Sequence, residues 1–372
     1  MASVEKRIRD GRERWYARYR TPDGQQRTRT FDRKKDADRF LVEIESSKQR
    51  GAFVDPRRAG LTVADWADQW LDAKADLSPT TRNRYAGILT QHVRPRWARA
   101  RLGDLTHAEV QRWLTGLELA PASVRKVHRV LSMALAYAVK DGRLAVNPAA
   151  GVSLPRVQEA HRRFLTHRQV AELADACGPA YRLVVLFLAY TGLRWGEMAA
   201  LRVGRVDFLR RRVLVAESVT PVKGAMTFGP TKGHERREVP VPRFLVEDLS
   251  RHVAGLDSDA LLFTGGRGAV MRSQTFQRAA LTAAAAELGV PGFHPHELRH
   301  TAASLAIASG ADVKVVQQML GHKSATMTLD QYGHLFGDRL DLVADAMDVA
   351  RLAALADVYP LCTGGEVVAL PA

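Results

Sequence analysis

The most restrictive feature of this sequence is an apolar segment near its middle, YRLVVLFLAY at residues 181–190. A helix that is apolar on all sides must be buried, either in a protein core or in a membrane. This segment is too short for a membrane, because a spanning helix needs about 20 apolar residues. The sequence has no longer run of that kind and no signal-peptide pattern in residues 1–20. We therefore expect a buried core helix and no membrane partner.

Length and charge narrow the possible partners. The chain has 372 residues, and the usual size of roughly 100–200 residues per domain predicts two or three domains. Its 55 Lys and Arg residues against 40 Asp and Glu residues give a formal net charge of +15, which favours a polyanionic partner such as nucleic acid. The two cysteines are too few for a disulfide framework, so we expect a reducing, cytoplasmic location.

Residues 1–58 predict a small, arginine-rich sheet covered by a helix. Apolar and basic residues alternate from Arg14 to Arg20, as they do in a half-buried strand. Turn residues separate this segment from a basic strand on either side, and a helix from about Lys34 to Lys48 would cover the apolar face. The basic face is either simply solvated or bound in the major groove of DNA, which admits β-ribbons, and we favour DNA.

Residues 59–157 predict a four-helix bundle. Ser78 followed by Pro79 is a helix-start signal, and Thr106 with Glu109 matches a capping box ahead of another helix. Basic residues occupy the outward helix faces, a pattern that is common in bundles and also compatible with DNA contact. Across the sheet and the bundle, the candidate DNA-binding residues are Arg18, Arg20, Arg29, Arg82, Arg84, Arg125, Lys126 and Arg129.

Residues 158–372 predict a third domain built around the buried helix. Strands are expected at residues 212–220 and 236–241 with a hairpin between them, and helices resume at Ser273. The predicted fold is therefore α+β and multidomain. It has a small three-stranded β-sheet plus a helix, a four-helix bundle, and a mainly α domain with a small antiparallel sheet.

Two basic residues of the third domain could act on a phosphate. Gly192 can end the buried helix in a left-handed cap, which would place Arg194 near the start of the next helix. A guanidinium there could bind two phosphate oxygens, although an ion pair with Glu197 is the simpler interpretation. Lys232 lies on the predicted hairpin, where an ammonium near a leaving oxygen can donate a proton if its pKa is lowered.

The segment HELRH at residues 296–300 supports two interpretations. It matches the H-E-x-x-H pattern, in which two histidines on one helix bind zinc and the glutamate acts as a base, as in a zinc metalloprotease. However, the residues between this segment and Gly321 include no His, Glu or Cys as a third ligand. For phosphate chemistry, the segment offers Arg299 as a second guanidinium, His296 as an acid or base, and His300 as a structural hydrogen-bonding residue.

Two further groups follow within a short distance. His322 comes directly after the helix end predicted at Gly321, and Tyr332 lies in the next predicted helix. A phenol has an unperturbed pKa of about 10 and is a weak nucleophile at neutral pH unless cations or a base assist it. A single helical tyrosine is usually structural, so the signal is the whole ordered set of Arg, Lys, His and Tyr, with no carboxylate cluster to hold Mg²⁺.

In this order, the motifs resemble those of the tyrosine recombinase, or phage integrase, family. The matching segments are TGLRWGE around Arg194, TKG with the following R-x-V-P around Lys232, HELRHT around His296 and Arg299, LGH at His322, and LDQYGHL around Tyr332. By the same resemblance, residues 1–58 are similar to the arm-type DNA-binding domain of integrases, residues 59–157 to their helical core-binding domain, and residues 158–372 to their catalytic domain.

The resemblance implies a site-specific recombinase that cleaves and rejoins DNA through a 3′-phosphotyrosyl intermediate, without a metal or cofactor, to integrate or excise a mobile element such as a prophage. The resemblance implies that Tyr332 is the nucleophile and that Arg194 and Arg299 stabilise the developing charge. It implies His322 as a hydrogen-bond donor, Lys232 as the acid and His296 as the base, with Glu197 and His300 as structural support.

The implied partners are double-stranded DNA with core and arm sites, three further copies of the chain in a tetramer, a DNA-bending host factor and an excisionase. Two alternatives belong to other classes. A type IB topoisomerase uses the same residues but relaxes supercoils as a monomer, and the additional N-terminal domain argues against it. A DNA-binding regulator without chemistry would explain the charge but not the ordered catalytic set.

Overall fold

The protein is described by a computed structural model that covers residues 2–9, 12–21, 24–49, 53–54, 60–157, 163–231, 233, 235–336 and 340–356. The chain divides into two compact units, Met1–Ala160 and His161–Ala372. Small antiparallel sheets stand among many helices, which confirms the predicted α+β class. In the ranges just given, no helix is both long and apolar enough to cross a membrane. The division into three domains stays a prediction.

The first unit begins with the basic sheet predicted from the sequence. Its elements are the antiparallel strands β1 (Ser3–Arg9), β2 (Arg12–Arg20) and β3 (Gln26–Phe31), followed by helix α1 (Lys34–Gln49). Ala17 and Tyr19 of β2 are buried and pack with Phe40 and Ile44 of α1. Because neighbouring residues of a strand point to opposite faces, the sheet has one apolar face and one basic face.

The helical part of the first unit also follows the prediction. Its helices are α2 (Val63–Asp72), α3 (Pro79–Ile88), α4 (Arg94–Trp97), α5 (His107–Thr115) and α6 (Pro121–Lys140). A π-helical turn at Leu89–Val93 joins α3 to α4. The N-caps predicted at Ser78 and Thr106 are confirmed, because their side chains accept hydrogen bonds from the backbone N–H groups of Thr81 and Glu109.

The second unit is built around the apolar segment that opened the sequence. It begins with α7 (His167–Ala176), α8 (Pro179–Thr191) and the short α9 (Trp195–Ala199). Residues 184–189 of α8 are all buried, as predicted. Gly192 ends α8 with φ of +66° and ψ of 18°, the left-handed cap expected from the sequence. The chain therefore turns sharply before Arg194.

One strand prediction was wrong. The segment 212–220, expected to be continuous, is divided at Ala216 into β5 (Arg212–Val215) and β6 (Glu217–Val222), which belong to different sheets. In one sheet β5 lies between β4 (Val206–Asp207) and β8 (Arg237–Pro240), while β6 pairs with β7 (Ala225–Pro230) in a two-stranded hairpin. The residues on both sides of Ala216 favour a strand. The local sequence pattern therefore does not indicate that β5 and β6 pair with different strands.

Helices complete the second unit. They are α10 (Arg243–Val253), α11 (Ser273–Phe276), α12 (Thr282–Glu287), α13 (Pro295–Ala308), α14 (Val313–Leu320), α15 (Ala325–Tyr332) and α16 (Leu340–Ala356). The α8 and α13 helices pack together, and α14 packs against both α15 and β8. The contact between α8 and α13 brings together chain segments that are more than a hundred residues apart in sequence.

Candidate active site

Arg194 is held where α8, α9 and the end of α14 meet. It is the N-cap residue of α9, and its Nη2 donates a hydrogen bond of 3.3 Å to the Gly321 carbonyl oxygen. A Cβ atom at Gly192 would lie 2.9 Å from the Leu320 side chain. Glycine is therefore needed at residue 192 both for its positive φ and for the close approach of α14.

A buried carboxylate fixes the Arg194 side chain. Glu197 is 1% exposed, and its Oε1 accepts a 2.8 Å hydrogen bond from Arg194 Nη1. Arg237 of β8 donates two more hydrogen bonds to the same carboxylate, at 2.6 and 3.1 Å. Burial alone would raise the pKa of Glu197, but the hydrogen bonds and charges of Arg237 and Arg194 outweigh burial and lower it. The carboxylate is thus ionised between two guanidinium groups.

Arg237 is a residue whose role was missed in the sequence. Its Nε donates a 3.1 Å hydrogen bond to the Met319 carbonyl oxygen, and a Cβ at Gly321 would lie 3.0 Å from its side chain. It therefore connects β8, the α9 start and the end of α14. The signal available in the sequence was the R-x-V-P motif after Lys232, but no local pattern pairs residue 237 with Glu197.

Arg299 forms the buried centre of the site. This α13 side chain is 3% exposed, and its two Nη atoms donate 2.6 Å hydrogen bonds to the carbonyl oxygens of Gly192 and Leu320. Burial, followed by the charge of Arg194, lowers the pKa of Arg299. A guanidinium nevertheless stays protonated at neutral pH. Two positive charges are therefore concentrated at the ends of α8 and α14.

His322 lies immediately after the left-handed cap of α14 at Gly321, as predicted. Its side chain is buried, and Nδ1 is 3.0 Å from the Thr328 hydroxyl of α15. Burial and the charges of Arg299 and Arg194 lower the pKa of His322 to about 4. The imidazole is therefore neutral at neutral pH.

Tyr332 is the last residue of α15 and is fully enclosed, with 0% exposure. Its ring is parallel to the His322 ring, with centroids 6.5 Å apart. Its hydroxyl lies 2.6 Å from Nδ1 of His300 on α13. The structure thus brings the predicted nucleophile together with the second histidine of HELRH, a contact that the sequence did not reveal.

His296 lies one turn before His300 on the same face of α13, and the two rings meet edge to face with centroids 4.9 Å apart. Although the His296 side chain is exposed, packing of its ring and the charge of Arg299 lower its pKa. Glu297 accepts a 2.8 Å hydrogen bond from the His294 backbone N–H and so caps the helix. In the part of the chain that the structure describes, no group of three His, Cys, Asp or Glu residues could hold a metal ion.

Family comparisons agree with this geometry. The description "Phage integrase family" matches residues 163–339, and "Phage integrase, N-terminal SAM-like domain" matches residues 62–117. The chain belongs to the phage integrase family of tyrosine recombinases. It is 26% identical over 334 residues to the integrase of Mycobacterium phage L5, covering 86% of this chain and 89% of that one. This tyrosine recombinase is therefore a DNA strand-breaking and rejoining enzyme, and the matches do not favour the topoisomerase alternative.

Solved structures show the same fold. The Tn1549 transposon integrase in complex with transposon right end DNA has a TM-score of 0.67 and 18% identity, covering 77% of this recombinase and 100% of that chain. A lambda integrase tetramer bound to a Holliday junction has a TM-score of 0.57 and 21% identity, covering 86% of this chain and 96% of that chain.

Lys232, the predicted acid of the recombinase, lies outside the described residues. Its neighbour Gly233 has φ of +113°, and a Cβ there would be 3.8 Å from Cε of Lys323, the residue after His322. Another lysine of the same strand region, Lys223, lies in the turn between β6 and β7 and has a φ of +48°. The role of Lys232 therefore remains a prediction, supported by the position of the next residue.

The candidate DNA-binding arginines of the N-terminal sheet lie on two faces. Arg18 pairs in register with Thr28, whereas Arg29 pairs with the buried Ala17. Cross-strand partners share a face, so Arg29 lies on the helix-covered side, where its guanidinium is 5.0 Å from the centre of the Phe40 ring. Arg20 lies on the basic face with Arg18, which also forms a 2.6 Å ion pair with Glu5.

In the bundle, Arg84 is exposed on α3, and Arg125, Lys126 and Arg129 are exposed on α6. Arg82 is half-buried and donates hydrogen bonds to the Leu71 carbonyl oxygen, at 2.8 Å, and to Asp72, at 2.6 Å. Its contacts are those of a residue that joins α2 to α3. DNA binding by these residues stays a prediction.

The lowered pKa of His322 predicts a pH-dependent stability. A histidine ordinarily has a pKa of 6.5, whereas this one titrates at about 4 in the folded protein. Between these values the unfolded chain binds a proton that the folded protein does not, so the free energy of unfolding should fall as pH decreases. We expect this residue to account for about 3 kcal/mol of the loss at the low end of the range.

Urea unfolding of the wild type and His322→Asn across this pH range measures the effect. The stability difference between the two proteins should change with pH in favour of the wild type as pH rises. A constant difference would contradict the prediction, because groups common to both proteins cancel in the comparison.

Proposed function

We propose that this recombinase cuts and rejoins double-stranded DNA through a 3′-phosphotyrosyl intermediate, and that it thereby integrates or excises a mobile element such as a prophage. The observation that supports this proposal is the 2.6 Å contact of the Tyr332 hydroxyl with His300, together with Arg194 and Arg299, which bind the carbonyl oxygens of the two residues before His322. These side chains come from α13, α15, the α9 start and the residue after α14.

In the proposed reaction, the oxygen of Tyr332 gives its proton to a histidine of α13 and bonds to the scissile phosphorus, while the bond from phosphorus to the 5′ oxygen breaks. Arg194 and Arg299 neutralise the charge that develops on the non-bridging oxygens, and the neutral His322 donates a further hydrogen bond. Lys232 protonates the leaving 5′ oxygen. The covalent link preserves the phosphodiester energy, so rejoining needs no cofactor.

The enclosed tyrosine places one condition on this reaction. Tyr332 is 0% exposed and Arg299 only 3% exposed, so a DNA phosphate reaches them only after the surrounding segments separate. We propose that DNA binding separates these segments and admits the phosphate to Tyr332 and Arg299.

The proposed assembly is a homotetramer on two DNA sites. Helix α16 has exposed apolar side chains, at Val343, Met347, Val349, Leu352 and Leu355. An exposed apolar helix face is typical of a protein interaction site, and we propose that it docks on a neighbouring copy. The lambda integrase structure similar to this chain is a tetramer bound to a Holliday junction.

The basic face of residues 1–58 would bind arm sites, and the remaining domains would bind core sites. A DNA-bending host factor, an excisionase and a cytoplasmic location complete the proposal. The free thiol of Cys177 is buried in the second unit, which suits a reducing compartment.

A trapping experiment tests this function. The full chain is incubated in EDTA with a nicked duplex that carries its recombination site, so that cleavage releases a short fragment and cannot be reversed. We expect a protein–DNA adduct that survives denaturation, because no step needs a metal ion.

The absence of an adduct with folded, DNA-binding protein would contradict the proposal. A plasmid without the site provides the comparison with a topoisomerase. Relaxation of that plasmid as fast as cleavage of the specific duplex would also contradict site-specific recombination.

A further inference from the structure

We infer that His300, rather than His296, accepts the proton of the Tyr332 hydroxyl during DNA cleavage. This inference rests on the proposed function and deepens it, because it changes which residue acts as the base. The resemblance to the family implies this role for the first histidine of HELRHT. The contacts of this chain assign it to the second.

His300 is within direct reach of the Tyr332 hydroxyl. Nδ1 of His300 and the hydroxyl oxygen are 2.6 Å apart, within the range in which a proton passes directly between heavy atoms. In the inferred arrangement the phenol donates its O–H to Nδ1, and Nε2 carries the ring proton. His300 can therefore take the proton without a change of position.

His296 is less well placed than His300 to reach the tyrosine. Its side chain is exposed, and its ring contacts the ring of His300. Since Tyr332 is completely enclosed, the partly buried His300 is better placed to reach its hydroxyl. His296 thus lies beside His300, the inferred base. Packing of its ring, together with the charges of Arg299 and Arg194, lowers the pKa of His296.

The surrounding helices hold His300 in place. It lies in the interior of α13, one residue after Arg299, whose two hydrogen bonds to backbone carbonyl oxygens attach this turn to α8 and α14. The tyrosine is held from the other side by packing against Leu320, Val316 and Ala303. Both partners of the 2.6 Å contact are therefore fixed by the core.

As the bond between Tyr332 Oη and phosphorus forms, the Oη–H bond breaks and the proton passes to His300 Nδ1. The bond from phosphorus to the 5′ oxygen breaks, and that oxygen takes a proton from Lys232. On rejoining, the 5′-hydroxyl gives its proton to the neutral Lys232 as it attacks phosphorus. The bond from phosphorus to Oη breaks, and His300 returns its proton to Oη.

The test uses His300→Asn in the trapping experiment. An asparagine Oδ1 can occupy the place of Nδ1 and accept a hydrogen bond, but it cannot take up a proton. We expect single-turnover cleavage to slow about 10²-fold with DNA binding unchanged, the usual scale for a lost general base. The matched control is His167→Asn, because His167 Nδ1 makes a similar 2.8 Å contact with the Tyr190 hydroxyl. That control should cleave at the wild-type rate.

A substrate with sulfur in place of the leaving 5′ oxygen separates the base from the acid. A sulfur leaving group departs without protonation. This substrate should therefore restore cleavage by Lys232→Ala but not cleavage by His300→Asn. The inference is wrong if the sulfur substrate restores cleavage by His300→Asn, or if His300→Asn cleaves the ordinary substrate within threefold of the wild-type rate. Faster cleavage by His300→Asn would also overturn the inference, because the contact would then only restrain the tyrosine. If the wild type itself forms no adduct, the proposed function fails instead.

A measurement on the unsubstituted protein covers the case in which His300→Asn does not fold. The nitrogen-15 chemical shifts of the His300 ring should show a neutral ring protonated on Nε2, with Nδ1 accepting a hydrogen bond. A proton on Nδ1 of the neutral ring would mean that His300 donates to Tyr332, and the inference would be wrong.

Discussion

Replacement of Tyr332 by phenylalanine is expected to abolish the covalent protein–DNA adduct while specific DNA binding persists. The substitution removes the single oxygen that attacks phosphorus and leaves the ring in its enclosed position between Phe164 and His322. The lost hydrogen bond to His300 should cost about 1 kcal/mol of stability, too little to unfold the chain. The measurement is the denaturation-resistant adduct on the nicked duplex, together with a binding titration.

Tyr190→Phe provides the control for this substitution. Tyr190 also has a hydroxyl in contact with a histidine, His167, and it lies in the same unit of the chain. This variant loses one phenolic oxygen from α8 and should form adduct like the wild type. An adduct that persists in Tyr332→Phe would show that another residue is the nucleophile.

The parts of this site that follow from the sequence are those set by local geometry. A glycine after an apolar helix predicted the left-handed turn before Arg194, and Leu-Gly-His predicted an imidazole beyond the end of α14. In both cases the requirement is a single positive φ, 66° at Gly192 and 63° at Gly321, which glycine adopts at little cost. Such features are encoded within a few residues.

The parts that did not follow depend on long-range packing. His300 and Tyr332 are 32 residues apart, and Glu197 and Arg237 are 40 apart. Their pairing results from the way α13, α15, α9 and β8 pack, which no periodicity specifies. His300 was therefore assigned a structural role, and Arg237 was assigned none.

The sheets show the same limit on a smaller scale. The alternation in β2 predicted one basic face, but the face of Arg29 depends on its register opposite Ala17. A shift of register by one residue would move Arg29 to the other face. Likewise, β5 and β6 are consecutive in sequence, and only their different partners, β8 and β7, separate them.

Glu197→Ala is expected to cause the largest loss of stability among single changes in the site. The carboxylate is 1% exposed, and its removal leaves Arg237, whose side chain is 12% exposed, with an uncompensated charge. Breaking a buried ion pair in this way costs about 3–5 kcal/mol. Arg194 loses a partner as well, so cleavage by the protein that remains folded should also slow. Urea unfolding gives the first effect and single-turnover cleavage gives the second.

The control is Glu247→Ala, which removes a carboxylate that is 84% exposed and 3.9 Å from Arg251. Exposed pairs contribute little, so this change should hardly alter the unfolding midpoint. The double variant Glu197→Ala with Arg237→Met should be more stable than Glu197→Ala alone, because the second change removes the unpaired charge. If Glu197→Ala unfolds at the same urea concentration as Glu247→Ala, the carboxylate does not hold the two guanidinium groups together. Arg194 would then have to be oriented chiefly by its hydrogen bond to the Gly321 carbonyl oxygen.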